Sequence, residues 1–423
     1  MAEARVALEK GDYSIADDLF AEIEERRRPE VEEAARAAFG RGEIAEAEVR
    51  WADAAEHYAR AVDLEEKPGF QNLQKAREFA WRAGQYDAAS RFGTALLKQA
   101  RKLDEPEKLA EALNEHAITL DAQGRYKDAE GLFREALEIG KATIGTQHPG
   151  YATHLNNLAL VVEAQGRYDE AEGLYREALE IAKTTIGELH PDFAAHLNNL
   201  AGVVQAQGRY DEVEGLYREA LEIDRATIGT QHPDFATDLN NLAGVLQAQG
   251  RYDEAEGLYR EALEIGKATI GAQHPDYATR LNNLAGVVQA QGRYDEAEGL
   301  FREALEIGKA TIGAQHPGYA TRLNNLAGVL QAQGRYDEAE GLYREALEID
   351  KATIGTQHPN YATDLNNLAG VLQAQGRYDE AEGLFREALE IRENTLGADH
   401  PNTVRGQENL DALLAKMAKD EPE

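Results

Sequence analysis

From Pro275 onward, the apolar residues Leu281, Leu284, Ala285 and Val288 recur at i, i+3, i+4 and i+7, which is one face of a helix. Pro275 suits the first helical position, where its missing N–H has no intrahelical partner. Gly292 ends this helix A, because glycine accepts the left-handed conformation that follows a helix. A second pattern, Tyr294, Ala297, Leu300, Phe301, Ala304, Leu305 and Ile307, predicts a helix B that Gly313 stops. Asp295, Glu296 and Glu298 fall in its first turn, where the helix dipole favours negative charge. A single such hairpin has apolar residues on more than one side and cannot bury them alone.

The hairpin recurs. His-Pro stands at His148, His190, His232, His274, His316, His358 and His400, each step being 42 residues (190 − 148). A fixed period of this size predicts a stacked array in which neighbours bury each other's apolar faces, rather than separate globules. Earlier units lack the His-Pro start but keep the turn and helix B: Gly124-Arg125-Tyr126, Gly84-Gln85-Tyr86 and Gly11-Asp12-Tyr13, with Trp51 in the tyrosine place of another. One partial unit, nine full ones and a last helix from Pro401 are expected. The organisation expected is 1–106 degenerate N-terminal units, the first partial; 107–400 seven 42-residue units; and 401–423 a C-terminal capping helix with an acidic tail. Gln407 and Asp411 replace the Leu and Ala that face helix B elsewhere, which reads as a solvent-facing cap. The N-terminal stub starts mid-helix with no cap signal and reads as cut from something longer.

These residues resemble the tetratricopeptide repeat. Between Pro275 and His316 the family's pattern appears as Leu281, Leu284-Ala285, Val288, Gly292-Arg293-Tyr294, Ala297, Phe301 and Ala304. The period exceeds the family's usual length of about 34 residues. Lys309 stands where the family's helix-ending proline would fall, so helix B runs on. This longer form is similar to the kinesin-light-chain-like subgroup. The resemblance implies an all-α, right-handed superhelical solenoid of stacked antiparallel helix pairs, with helix A lining the concave surface.

On a helical wheel Thr279, Asn282, Asn283, Gly286 and Gln289 lie opposite the apolar stripe. The resemblance therefore places such a row from each repeat on the inner wall. The pairs are Asn156/Asn157, Asn198/Asn199, Asn240/Asn241, Asn282/Asn283, Asn324/Asn325 and Asn366/Asn367, with Gln205, Gln247, Gln289, Gln331 and Gln373 in the same row. An amide offers both a donor and an acceptor, and so suits the backbone of an extended peptide. Groove asparagines in related proteins are implied to hold a peptide in this way. The competing reading is that one asparagine of each pair, the second, bonds a neighbouring repeat. Gly202, Gly244, Gly286, Gly328 and Gly370 inside helix A cost about 1 kcal/mol each against alanine, offset either by groove room or by close helix approach. Gly173, Gly215, Gly257, Gly299, Gly341 and Gly383 inside helix B are expected to allow close packing. Before each Leu-Asn-Asn stands a variable residue: His154, His196, Asp238, Arg280, Arg322 and Asp364. Asp238 beside Arg280, and Arg322 beside Asp364, predict inter-repeat ion pairs, with tuning of partner choice at the groove edge as the alternative.

Composition narrows the function. Among 423 residues there is no cysteine, which excludes disulfides, thiolate metal sites and a cysteine nucleophile. A net charge of −32 repels nucleic acid and anionic lipid, and keeps a long array soluble. No apolar run approaches the roughly 20 residues that span a bilayer, and the N-terminus has no apolar signal region, so a cytoplasmic location is the default. The seven histidines are too far apart, once per repeat, to share a metal ion, and read as helix-start residues. No phosphate-binding loop, HExxH or nucleophile elbow occurs. The expected function is a non-catalytic interaction scaffold, without cofactor or metal, that binds an extended peptide or partner segment. The alternative is a sensor or oligomerisation arm of a larger system whose effector domain is separate or upstream. The partner and the oligomeric state are not readable from the sequence.

Overall fold

The computed structural model describes residues 2–26, 31–65 and 67–420, and among these every regular element is an α-helix. The first helices are α1 (Ala2–Glu9), α2 (Tyr13–Arg26), α3 (Val31–Ala47), α4 (Trp51–Leu64), α5 (Phe70–Arg82), α6 (Tyr86–Ala100), α7 (Pro106–Ala122) and α8 (Tyr126–Thr143). The regular units follow as α9 (Pro149–Ala164), α10 (Tyr168–Thr185), α11 (Pro191–Ala206), α12 (Tyr210–Thr227), α13 (Pro233–Ala248) and α14 (Tyr252–Thr269). They continue as α15 (Pro275–Ala290), α16 (Tyr294–Thr311), α17 (Pro317–Ala332), α18 (Tyr336–Thr353), α19 (Pro359–Ala374) and α20 (Tyr378–Leu396), and end at α21 (Pro401–Asp420). Odd-numbered helices are the A helices of the pairs and even-numbered ones the B helices.

The turns are made as the glycines require. Gly292 has φ +80°, and the N–H groups of Gly292 and Arg293 bond back to Gln289 and Val288, closing α15 before α16 begins. Gly313 does the same after α16, with φ +89°. Before α4 the glycine is missing and Val49 takes the left-handed conformation with φ +57°, a strained choice for a β-branched residue. Each His-Pro start is a cap. The His274 Nδ1 accepts from the Asp276 N–H at 3.1 Å, and the same bond recurs at His148, His190, His232, His316, His358 and His400. A protonated imidazole has no lone pair to accept with, so each cap holds only while its histidine is neutral.

Leu281, Leu284, Ala285, Val287 and Val288 of α15 are buried against Ala297, Phe301 and Ala304 of α16, and the same packing continues from unit to unit as one core. Consecutive A helices from α7 onward also pack directly on one another, whereas consecutive B helices come less close and are bridged by long side chains, as in the Arg260–Glu296 ion pair at 3.0 Å. That difference curves the stack with the A helices inside.

The curvature brings successive turns of the superhelix together. A Cβ at Gly84 would lie 2.6 Å from Pro317, one at Gly124 2.8 Å from His358, and one at Gly166 2.7 Å from His400. The contacting residues are 232 to 234 apart in sequence (316 − 84, 358 − 124, 400 − 166), between five and six repeats. Trp51 also lies 6.4 Å from the His274 ring and Tyr168 6.5 Å from the His400 ring. So A–B turns of the first superhelical turn meet His-Pro starts of the second along a seam. Burial pushes His316 and His358 down to about 4, with Arg322 adding to the effect at His316.

The helix-B glycines do not behave as the sequence suggests. A Cβ at Gly173, Gly215, Gly257, Gly299, Gly341 or Gly383 would meet nothing within 4 Å, and all six are exposed. Close packing is therefore not their role. Gly257→Ala should stabilise the array by about 0.5–1 kcal/mol through helix propensity, read as a raised urea midpoint. A lowered midpoint would mean that an unseen contact needs the bare backbone.

Candidate functional site

The inner wall is built by the A helices, and its polar row falls on them at the register described for Thr279 to Gln289. All twelve paired asparagines are at least half-buried, Asn156 most of all. The first asparagine of each pair is a rung between repeats. Asn198 donates to Asp238 at 2.6 Å, Asn324 to Asp364 at 2.5 Å, and Asn156 bonds His196. Asn114 of α7 extends the series to His154 at 2.8 Å. Where the residue before Leu-Asn-Asn is arginine, the bond changes partner: Asn283 donates to Asn240 and Asn325 to Asn282, both at 3.0 Å. Asn409 of α21 closes the row on Asn366 at 2.9 Å.

Every junction from α7 to α21 thus carries one such bond, always through the first asparagine of the preceding A helix. The second asparagine, the one expected to bond a neighbour, does so only at Asn283 and Asn325. The side chains of Asn157, Asn199, Asn241 and Asn367 make no hydrogen bond within the protein. Gln247 and Gln331 accept from Tyr259 and Tyr343 of their own helix B at 3.3 and 3.2 Å. In the units where phenylalanine replaces that tyrosine (Phe301, Phe385), Gln289 and Gln373 lack a phenol partner, and Gln205 makes no bond to Tyr217.

The helix-A glycines are not packed tightly either. A Cβ at Gly202 would meet nothing within 4 Å; at Gly244, Gly286, Gly328 and Gly370 the nearest atoms stand at 3.5 to 4.0 Å, all in side chains. Alanine would fit each position with ordinary contact. Close helix approach therefore does not explain these glycines; they leave bare backbone on the inner wall.

The predicted ion pairs are not formed. Asp238 does not reach Arg280. It lies instead against Asp224 of the preceding helix B, and Asp364 lies against Asp350 in the same way. All four are buried, at 1–3% exposure. Burial, and then the neighbouring acid, push Asp238 up to about 7 and Asp350 to about 8; burial alone, opposed by bonds from Asn324 and Asp350, holds Asp364 at about 6. Each pair shares a proton, because two adjacent carboxylates out of water cannot both stay ionised. The arginines take the same place against a small residue. Arg280 covers Gly266 and Arg322 covers Gly308, and their guanidinium groups bond Thr237 and Thr279 and the carbonyls of Pro233 and Pro275. At the last junction the sizes reverse, with Arg392 lying over Gly406.

A second ladder was not anticipated from the sequence. Glu256 accepts from Arg260 on its own helix, and from Arg293 and Gln291 in the next A–B turn, at 2.6, 2.8 and 2.9 Å. Glu130, Glu172, Glu214, Glu298 and Glu340 likewise each bond two arginines. Burial alone would raise these acids, yet the bonds outweigh it and hold Glu256 and Glu298 at about 2. The signal was present in the sequence as Gln-Gly-Arg in each turn and Glu-Gly-Leu in each helix B, 35 to 37 residues apart. Among the described residues, no cluster of three or more His, Asp or Glu side chains could hold a metal ion. No helix among them is long and apolar enough to cross a membrane.

Tetratricopeptide repeat family models match residues 1–69, then 78–184 and 192–370 in overlapping stretches, and 363–402. No curated protein sequence matches the chain. Among solved structures, BtubC (BKLC) from P. vanneervenii is 26% identical over 55% of this chain and 91% of its own, with a TM-score of 0.43. A Podosopora anserina putative kinesin light chain with nearly identical TPR-like repeats is 28% identical over 49% of this chain and 98% of its own, with a TM-score of 0.41. A Rap protein complexed with Competence and Sporulation Factor is 16% identical over 83% of this chain and 99% of its own, with a TM-score of 0.50, a likeness of fold.

Proposed function

The chain belongs to the tetratricopeptide repeat family, and on that footing we propose that its inner wall grips the backbone of an extended segment of a partner protein. Repeats of this family generally serve as non-catalytic protein-interaction scaffolds. The observation that carries the reading is the pool of unengaged amides. Asn157, Asn199, Asn241 and Asn367 recur on the polar row without a bond inside the protein, beside the bare backbone of Gly202, Gly244 and Gly370. Gln205, Gln289 and Gln373 extend the same row. The first asparagines are committed to the stack and drop out of the binding set.

Spacing supports the reading. Touching helices lie about 8–10 Å apart, and an extended chain advances about 3.3 Å per residue, so one amide per repeat meets about every third residue of the ligand. Backbone recognition of this kind tolerates many side chains and depends little on salt.

A random peptide library displayed on phage and selected against the wild-type chain supplies the probe. Asn157→Ala with Asn199→Ala and Asn241→Ala should weaken selected peptides at least about tenfold, from roughly 0.5–1.5 kcal/mol per lost bond, with melting unchanged. Peptides that bind the triple variant as tightly as the wild type would overturn the groove assignment. So would binding abolished by salt alone, which would point to the acidic field instead.

A further inference from the structure

The seam between superhelical turns uses a surface that is repeated elsewhere on the molecule and left open there. The turns at Gly84, Gly124 and Gly166 are covered by the second superhelical turn. At Gly208, Gly250, Gly292, Gly334 and Gly376 the same kind of turn is bare, and a Cβ would meet nothing within 4 Å. The tripeptide Gly-Arg-Tyr is identical at Gly166, inside the seam, and at all five bare turns. Its tyrosine is half-covered in the seam, whereas Tyr210, Tyr252, Tyr294 and Tyr336 are 37–38% exposed.

The opposite rim of the tube carries the matching half. His148, His190 and His232 open α9, α11 and α13 with the same His-Pro that seats in the seam at His316, His358 and His400. His358 is buried, while the side chains of His190 and His232 remain open to solvent. Three free starts 42 residues apart face outward on one rim, and five bare turns with the same spacing face outward on the other. The two rims are complementary because the chain already joins them once within itself.

We propose that a second copy of this chain docks on that rim, seating His148, His190 and His232 on three consecutive Gly-Arg-Tyr turns of its neighbour. The contact is heterologous, so each added copy leaves a free rim for the next. Charge opposes it. The chain carries −32, and two of the three free starts have an acid after proline (Asp192, Asp234), whereas of the four seam starts only that at His274, beside Trp51, has one (Asp276). The association is therefore weak at low salt and strengthens as salt screens the repulsion. It does not depend on what the inner groove binds.

Sedimentation velocity on the full chain, over a hundredfold concentration range at about 0.05 and about 0.5 M salt, tests it. Species heavier than the monomer should grow with concentration and with salt. Tyr252→Glu with Tyr294→Glu and Tyr336→Glu should weaken the association at least about tenfold. Asp192→Asn with Asp234→Asn should strengthen it. Helicity and melting should stay at wild-type values in both variants, since these side chains lie outside the seam. A monomer under every condition overturns the proposal. Association that ignores both sets of substitutions overturns it too, because the contact would then lie elsewhere.

Discussion

Raising the pH from about 5 to about 8 should withdraw roughly 2–4 kcal/mol of stability per buried acid pair, and Asp224→Asn with Asp350→Asn should shrink that loss, leaving the part that burial alone imposes on Asp238 and Asp364. The sign follows from where the protons are. In the folded chain Asp238 holds its proton to about 7, Asp350 to about 8 and Asp364 to about 6. An unfolded aspartate releases it near about 4. Between those limits unfolding releases protons, so the pairs' contribution is fully present below the unfolded value and is lost as pH rises through the folded ones. An asparagine at 224 or 350 keeps a donor facing the remaining carboxylate, which also accepts from Asn198 or Asn324. Urea denaturation followed by circular dichroism at several pH values gives the test. Parallel profiles for wild type and double variant would sink the shared-proton assignment. The seam histidines act in the opposite direction. His316 and His358 are held near 4, so their contribution is present above about 6.5 and lost as pH falls toward 4. Because the substitution leaves them untouched, the difference between the two proteins at each pH isolates the carboxyl pairs.

Asn240→Ala with Asn282→Ala and Asn324→Ala should cost the fold roughly 3–6 kcal/mol, the largest loss expected from any three surface-row substitutions. Each alanine removes one rung and strands its partner: Asn283, Asn325 and Asp364 respectively. An amide or carboxylate left half-buried without its partner costs about 1–3 kcal/mol, more than the net worth of the bond itself. The comparison triple at Asn157, Asn199 and Asn241 removes the same number of amides from the same wall and should barely shift the melting midpoint. If both triples melt alike, the division between structural and free asparagines fails, and with it the choice of binding residues.

The helices were legible because their boundaries are written in local chemistry. Pro275 can only begin a helix and Gly292 can take φ +80° at no steric cost, and both do. The core positions followed from the 3.6-residue period, as Leu284 and Phe301 show. The use of the polar row was not legible, since two adjacent asparagines look alike on a wheel and differ only in whether a neighbouring repeat comes within 3 Å. Asp238 and Arg280 are adjacent in the list of variable positions, which suggested a pair. Their real neighbours come from helix B, fourteen residues earlier (238 − 224, 280 − 266). Reading helix-B variation against the next helix A, Asp with Asp and Gly with Arg, would have exposed it. The seam was beyond reach, because contacts more than 230 residues apart depend on the curvature summed over every repeat.

That fourteen-residue linkage bears on how such a gene can change length. Near-identical 42-residue units invite unequal crossing-over, which adds or deletes whole copies. A breakpoint between the paired positions of unlike units would reshuffle partners, placing Arg322 against an aspartate-bearing helix or joining two glycines across a void. A breakpoint anywhere in the remaining 28 positions of the unit (42 − 14) passes both partners on together. At least two thirds of the breakpoint positions in a unit (28 of 42) therefore change the number of repeats while leaving every matched junction intact. The lineage can lengthen or shorten its tube without first evolving a new interface.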